Sequence, residues 1–427
     1  MEYFSITGGT SLNGDIAVSG AKNAALKLLS AALLTKETCV LHNVPDIADV
    51  RSMIKLLQLL GAKVEYTQHT VTVTAEDITD VLDYQLVKHM RASIVLIGPL
   101  VARIGRAVLP LPGGCLIGAR PIDTHVNAFT QMGIKVEYNG DLYTFTRDAF
   151  RGSRVILDEM SVTATENILI AACLAPGHTE IRLAACEPEI ADLARFLISM
   201  GAKIDGIDTS TLRIQGVKSL HGTEHTLIPD RIEAGTFAIA AAVSRGTVNI
   251  HGVIPDHLDA VLNTLSQANV RYEFTQESGE FQTMHILPTT IFEPVSIATR
   301  PHPGFPTDLQ APLSVLMTQA NGTSKIFETM YDGRLGYIQE LHRMGANAEI
   351  LDSHTALVSG PTALYGKRIT SLDIRAGATL LIAAIIANGE SQLEHIERID
   401  RGYERIEDRL NALGAKIKRL PADIHGK

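Results

Sequence analysis

Tryptophan is missing from all 427 residues, and aromatic side chains of any kind make up only 5% of them. A core without large rings has to be filled by Leu, Ile, Val and Ala, and the 45% hydrophobic content supplies them. Cysteine is scarce too: there are four, at 39, 115, 173 and 186, with no CxxC spacing among them. That excludes a disulfide framework and a cysteine-based metal site, and it fits reduced thiols in a reducing compartment. Long apolar runs are likewise absent. The longest, ATLLIAAIIA at 378–387, is about half the roughly 20 residues needed to cross a bilayer. The opening MEYFSITGGT has neither a basic start nor an apolar stretch, so no signal peptide is expected. Positive charge is not in excess either. The formal net charge of −9 argues against a nucleic-acid-binding surface. The expectation is a cytoplasmic, acidic chain of two or more domains.

What the sequence does have is a repeat. LGAKVEY at 60–66 returns as MGIKVEY (132–138), MGAKIDG (200–206), ANVRYEF (268–274), MGANAEI (344–350) and LGAKIKR (413–419). The spacing of roughly 70 residues suits a small supersecondary unit. Each copy follows an amphipathic stretch such as DVRSMIKLLQLL (49–60), so the glycine fits a helix C-terminal cap and the alternating run after it a strand.

A second helix is expected in every unit, starting near Ser19, His89, Ser161, Pro229, Pro306 and Leu372. Each begins with polar and small residues and then turns apolar nearly all round, the mark of a buried helix. Helix N-termini carry unpaired N–H groups and partial positive charge, and Lys22, Arg91 and Arg231 add full charges at three of them. Ordinary capping accounts for any one such opening; six together suggest ends that converge on something polar. The architecture expected is two similar α/β domains of three units each, with an anion-binding cleft between them and a crossover near LIPDRIEAG (227–235).

One loop stands apart. LPLPGGCLIGARPIDTH (109–125) sets Cys115 directly after two glycines, where a thiol is poorly shielded, with Arg120 five residues on. An exposed cysteine beside cationic groups has a tunable pKa and suits acid or nucleophile chemistry. Cys39, Cys173 and Cys186 lie in apolar strand-like or helical contexts and read as core.

SGAKNAALKLL, LPGGCLIGARPIDTH, FPTDLQ and IDRGYERIEDRLNALGAKI together resemble the UDP-N-acetylglucosamine enolpyruvyltransferase family, in order and spacing, over nearly the whole chain. The resemblance implies an inside-out α/β barrel of two domains, each of three βαβαββ units, with the active site in the interdomain cleft. It places 22–229 in the first domain, with a cysteine loop at about 111–121. Residues 1–21 and 230–427 form the second. It implies transfer of the enolpyruvyl group of phosphoenolpyruvate to the 3′-hydroxyl of UDP-N-acetylglucosamine, releasing phosphate by addition and elimination. That is the first committed step of peptidoglycan precursor synthesis, and it needs neither metal nor cofactor. The implied partners are these two substrates, with no nucleic acid or membrane, and a monomer or weak homo-oligomer is expected.

By the same resemblance Cys115 is the acid that protonates carbon 3 of phosphoenolpyruvate and a covalent nucleophile toward it. Lys22, Arg120 and Arg401 hold that substrate, with Arg91 nearby; Arg401 has the alternative of a plain ion pair with Asp400. Asp308 lies by the sugar hydroxyl as base or acceptor, or is an ordinary N-cap. Asn23 bonds the sugar, Arg334 is a further cleft arginine, Asp373 lies near phosphoenolpyruvate, and Met330 joins the substrate-binding set. Pro121, Asp123, Ser161, Val162 and Thr163 line the nucleotide, and His125 either touches phosphate or is a plain hydrogen-bonded residue. Thr163 departs from the family's usual glycine, Arg398 stands where a histidine is common, and Ala48 where some members carry lysine. These departures leave room for a divergent or non-catalytic paralogue that binds UDP-sugar. The sister 5-enolpyruvylshikimate-3-phosphate synthases lack the cysteine loop, and GGCLIGARPID tells against them.

Overall fold

The six recurring peptides all end helices in the same backbone conformation. Gly61, Gly133, Gly201, Gly345 and Gly414 have φ between +77° and +106°, and Asn269, the one non-glycine, has φ +62°. This is the left-handed residue that closes a helix, a conformation open to Gly and, at a lower tolerance, to Asn. The helices they terminate are Ala48–Leu59, Asp123–Gln131, Pro188–Ser199, Asp259–Gln267, Tyr337–Arg343 and Ile406–Ala412.

A computed structural model describes residues 2–110 and 122–421. Among these residues there are six sheets, and they share one topology. In each four-stranded sheet an edge strand runs parallel to a second strand, which pairs with an antiparallel strand and through it with a fourth. In two of these sheets a buried helix joins the first two strands and the capped outer helix leads into a hairpin; in the other three one strand comes from a distant part of the chain. One unit of the former kind comprises Arg154–Ile156, Val162–Ala172, His178–Arg182, Pro188–Ser199, Lys203–Asp205 and Thr211–Gln215. The variant is the sheet of Arg106–Pro110, Leu142–Arg147 and Ile134–Tyr138, where a single parallel bridge between Val81 and Val108 stands in for the missing edge strand. The α/β fold expected from the repeat is therefore the fold observed.

The described residues divide into two compact units, each with its own aliphatic core. One comprises 20–110 and 122–228, the other 2–19 and 229–421. The first two strands are built into the second unit: Glu2–Thr7 pairs with Glu390–Glu394 and Ile417–Pro421, and Asn13–Ala17 lies parallel to Thr247–Val253. Arg409 fastens this segment, donating to the Ala17 carbonyl and to both oxygens of the buried Glu233, while Ser19 N–H donates to Glu233 Oε1 at 2.8 Å.

The inner helices are buried as their composition predicts, and all thirteen residues of Arg231–Val243 are inaccessible. One differs from expectation. The helix expected to run on from His89 breaks at the extended Met90, continues as a 3₁₀ turn over Arg91–Leu96, and becomes α-helical only at Ile97–Ile104. Pro99 accounts for the second of these changes: it has no N–H to return to the carbonyl of residue 95, and it sits in the first turn of Ile97–Ile104, where none is needed. No helix among the described residues is long and apolar enough to cross a membrane.

Gly414, at φ +99°, has only a distant neighbour in the path of an added Cβ, so Gly414→Ala isolates the backbone cost. The substitution is expected to destabilise the second unit by about 1–2 kcal/mol, whereas Asn269→Gly should change stability by only a few tenths. Thermal unfolding of the two variants against wild type checks this; equal effects would remove the shared cap as the reason for the repeat.

Candidate active site

In the second unit, chemistry gathers where three buried helices begin. Asp308 is the second residue of Thr307–Met317; Pro306 occupies the cap position, so the ordinary N-cap alternative for Asp308 does not hold. Its carboxylate instead meets two arginines. Arg334 Nη2 donates to Oδ1, and Arg375 Nε donates to Oδ2 at 3.1 Å with Nη2 at the same distance. Both arginine side chains are only 6% exposed, while Asp308 is 25% exposed and remains open to a reactant. Burial alone would lower the pKa of these guanidiniums. Asp308 and Asp373 more than offset it at Arg334, and Tyr403, Asp308 and Asp230 at Arg375, so both are held above their usual range.

Asp373 is the N-cap of Ile374–Ile386, its Oδ1 accepting from the N–H groups of Arg375 and Ala376 at 2.7 and 2.9 Å. Arg375 lies over the Tyr403 ring, 5.2 Å from its centre, and the Tyr403 hydroxyl is 2.9 Å from Thr236 on the neighbouring buried helix. Met330 is half-buried; its N–H donates to Glu328 Oε1 at 2.7 Å, while Thr307 beside Asp308 donates to Oε2 at 2.6 Å. Arg401 is half-buried on the turn after the 3₁₀ segment Ile396–Arg398. Its neighbour Asp400 accepts from Arg419 at both oxygens, at 2.7 and 3.0 Å.

In the first unit Lys22 opens Lys22–Ala31 and pairs with Asp49 at 2.9 Å, both side chains at most 10% exposed. Asn23 follows, half-buried. Ser161 caps Val162–Ala172, its Oγ accepting from Ala164 N–H at 3.5 Å, and Asp123 is exposed at the head of its helix. Cys115, Arg120 and Pro121 lie outside the described residues.

His125 is buried, and both ring nitrogens are engaged internally. Asn167 Oδ1 accepts from Gly98 N–H at 2.8 Å and its Nδ2 donates to the Ile94 carbonyl at 2.9 Å, which fixes the amide's orientation. The same Nδ2 lies 3.1 Å from His125 Nδ1 and therefore donates to it. The proton of the neutral ring is then on Nε2, donated to Thr163 Oγ1 at 3.1 Å. These bonds fit the reading of His125 as a plain hydrogen-bonded residue, and one of them goes to the threonine that departs from the family pattern. Burial, reinforced by the nearby charge of Arg91, lowers the His125 pKa to about 3.

A profile of EPSP synthase (3-phosphoshikimate 1-carboxyvinyltransferase) matches residues 6–410. The chain belongs to the EPSP synthase family. Curated relatives within it include the UDP-N-acetylglucosamine 1-carboxyvinyltransferase of Solibacter usitatus, 46% identical over 98% of this chain and all of that one. UDP-N-acetylglucosamine 1-carboxyvinyltransferase 2 of Carboxydothermus hydrogenoformans is equally similar, at 46% over the same shares. Among solved structures, the enolpyruvyl transferase NikO from Streptomyces tendae superposes with a TM-score of 0.89 at 25% identity, over 99% of both chains. An EPSP synthase from Acinetobacter baumannii shares the fold at TM-score 0.77 and 17% identity, over 99% of this chain and all of that one.

Three residues of this EPSP synthase family member escape a reading of the sequence: Asp49, Glu328 and Arg375. Arg375 carried a signal, since LDIRAG sets a cation at the start of an apolar helix as Lys22 and Arg231 do. Asp49 and Glu328 carried none, because their partners are distant in the chain.

A histidine that stays neutral when folded but ionises when unfolded costs stability in acid. Below the unfolded pKa of about 6.5 the unfolded chain binds a proton that the native ring refuses, at about 1.4 kcal/mol per pH unit until the folded pKa is reached. Between pH 7.5 and 5.0 the wild type is expected to lose about 2 kcal/mol more than His125→Gln. Urea unfolding at the two pH values measures the difference; parallel losses would mean the ring takes up a proton in the native state.

Proposed function

We propose that this chain transfers the enolpyruvyl group of phosphoenolpyruvate to the 3′-hydroxyl of UDP-N-acetylglucosamine and releases inorganic phosphate, an early step of peptidoglycan precursor synthesis in the cytoplasm. The observation that carries this is full-length 46% identity to enzymes named for that reaction. The doubly ion-paired Asp308 supports it, supplying an oriented carboxylate where a hydroxyl must be activated.

The addition forms a bond between the sugar oxygen and carbon 2 of phosphoenolpyruvate while carbon 3 gains a proton. Cys115 delivers that proton. The hydroxyl proton passes to Asp308 or to solvent through it; a carboxylate fixed by two guanidiniums orients the hydroxyl first and accepts its proton as the oxygen attacks. The resulting tetrahedral intermediate loses phosphate from carbon 2 and a proton from carbon 3, which restores the double bond. Lys22, Arg120 and Arg401 bind the phosphate and carboxylate throughout, with Arg91 adding positive charge, and Arg forks suit both groups. Asn23, Arg334, Met330 and Asp373 complete the sugar and phosphoenolpyruvate surroundings. Pro121, Asp123, Ser161, Val162 and Thr163 hold the nucleotide, with His125 supporting Thr163 from behind.

Phosphate release from the two substrates tests the reading directly, and turnover with shikimate-3-phosphate in place of the sugar nucleotide would favour the sister activity. Asp308→Asn is expected to lower kcat by about 100-fold or more with KM for UDP-N-acetylglucosamine within about threefold. Equal changes in both parameters would reduce Asp308 to a binding role. Fosfomycin is expected to stop turnover by alkylating Cys115, read by peptide mass spectrometry, since the other thiols are shielded; modification elsewhere with the same loss of activity would remove Cys115 from the mechanism.

A further inference from the structure

Arg398 is one of the positions where this chain leaves the family pattern, and its side chain is used. Nη1 donates to two successive carbonyls, those of Ser371 at 2.6 Å and Leu372 at 3.0 Å. These are the last two residues before Asp373, the cap of Ile374–Ile386, and Arg375 follows two residues later to grip Asp308. Arg398 itself lies in the turn that leads through Ile399 and Asp400 to Arg401.

Other contacts join the same two segments. Gly377, in the first turn of that helix, faces the Ile399 side chain, and a Cβ there would stand 2.5 Å from it. Tyr403 lies beneath Arg375. On its far side the turn is fixed through Asp400, which Arg419 holds together with Glu407 and Glu2 while stacking on Phe4 at 5.1 Å. Of these contacts, the one from Arg398 reaches the backbone that sets the Asp373 cap. A single guanidinium nitrogen can span two adjacent carbonyls because Nη1 carries two hydrogens.

We propose that Arg398 is a positioning residue: it ties the turn bearing Arg401 to the turn bearing Asp373, and so sets Arg401 relative to Asp308, Asp373 and Arg375 for phosphoenolpyruvate. This rests on the function proposed above. An imidazole nitrogen carries at most one hydrogen and could not make both bonds.

The test compares wild type, Arg398→Met and Arg398→Lys. In Arg398→Met, KM for phosphoenolpyruvate is expected to rise about tenfold, KM for UDP-N-acetylglucosamine to stay within twofold, and the thermal midpoint to move by no more than a few degrees. Added guanidinium ion at millimolar concentration should recover part of the loss. Arg398→Lys, which keeps the charge and one donor group, is expected to raise the phosphoenolpyruvate KM only two- to fourfold. That variant decides the matter if the methionine form does not fold. An unchanged phosphoenolpyruvate KM, or both KM values rising together with a lowered midpoint, overturns the proposal. A wild-type protein that releases no phosphate would overturn the assigned reaction instead. Hydrogen exchange then still reads the tie itself: the amides of 399–403, bonded within this turn, should exchange at least tenfold faster in Arg398→Met, and unchanged exchange refutes it.

Discussion

Everything in the second unit's site depends on one carboxylate held by two buried cations. Charges without water are costly, and a buried arginine persists only where a partner and further hydrogen bonds replace its hydration. Arg334 and Arg375 meet most of that condition through Asp308, with Asp373 adding negative charge near Arg334 and the Tyr403 ring lying under Arg375, whose buried Nη1 has no hydrogen-bond partner among the described residues. Arg375 lies in the first turn of a helix otherwise lined with Ala, Leu and Ile, and Arg334 reaches Asp308 from the turn that precedes Tyr337–Arg343. Their stems rest in apolar surroundings while their heads meet at the polar ends. Asp308 is the exposed member of the group, so the arrangement directs a fixed anion toward solvent where a hydroxyl would arrive.

The repeat explains how a chain without tryptophan builds such a site. Each unit needs an inner helix that is buried on all sides, and a helix of that kind has only its ends available for polar chemistry. Polar residues farther along it need partners from neighbouring elements, as Asn167 finds in Gly98, Ile94 and His125. The glycine-capped outer helices impose no comparable limit, which fits their role as amphipathic cover. The candidate site residues Lys22, Ser161, Asp308 and Asp373 all occupy inner-helix starts.

Much of this was legible in the sequence, and the limits have a physical origin. Local signals carried the six αL caps, including Asn269 in place of glycine, because the conformation is decided within a few residues. They also carried the burial of the inner helices, which follows from composition alone. The break after His89 was missed because the apolar pattern continues across it, although Pro99 is visible and removes the hydrogen bond that an uninterrupted helix needs. The pairing of charges was not legible. Arg375 meets Asp308 across 67 residues of sequence, and Asp49 reaches Lys22 from another helix; periodicity tells which face is buried and not which buried charge meets which.

The thiols show how the same burial assigns chemistry by exclusion. Cys173 lies wholly inside the core and donates to the Leu169 carbonyl at 3.3 Å; desolvation pushes its pKa up to about 12, and Cys39 to about 11. Cys186, half-buried, is also raised, by desolvation and then by Glu187 and Asp208. A thiol raised in this way stays protonated at neutral pH, and Cys39 and Cys173 are in addition buried from any substrate. If a sulfur atom of this protein takes part in proton transfer, the three that the fold shields are poor candidates, and the task falls to Cys115 between its glycines and Arg120.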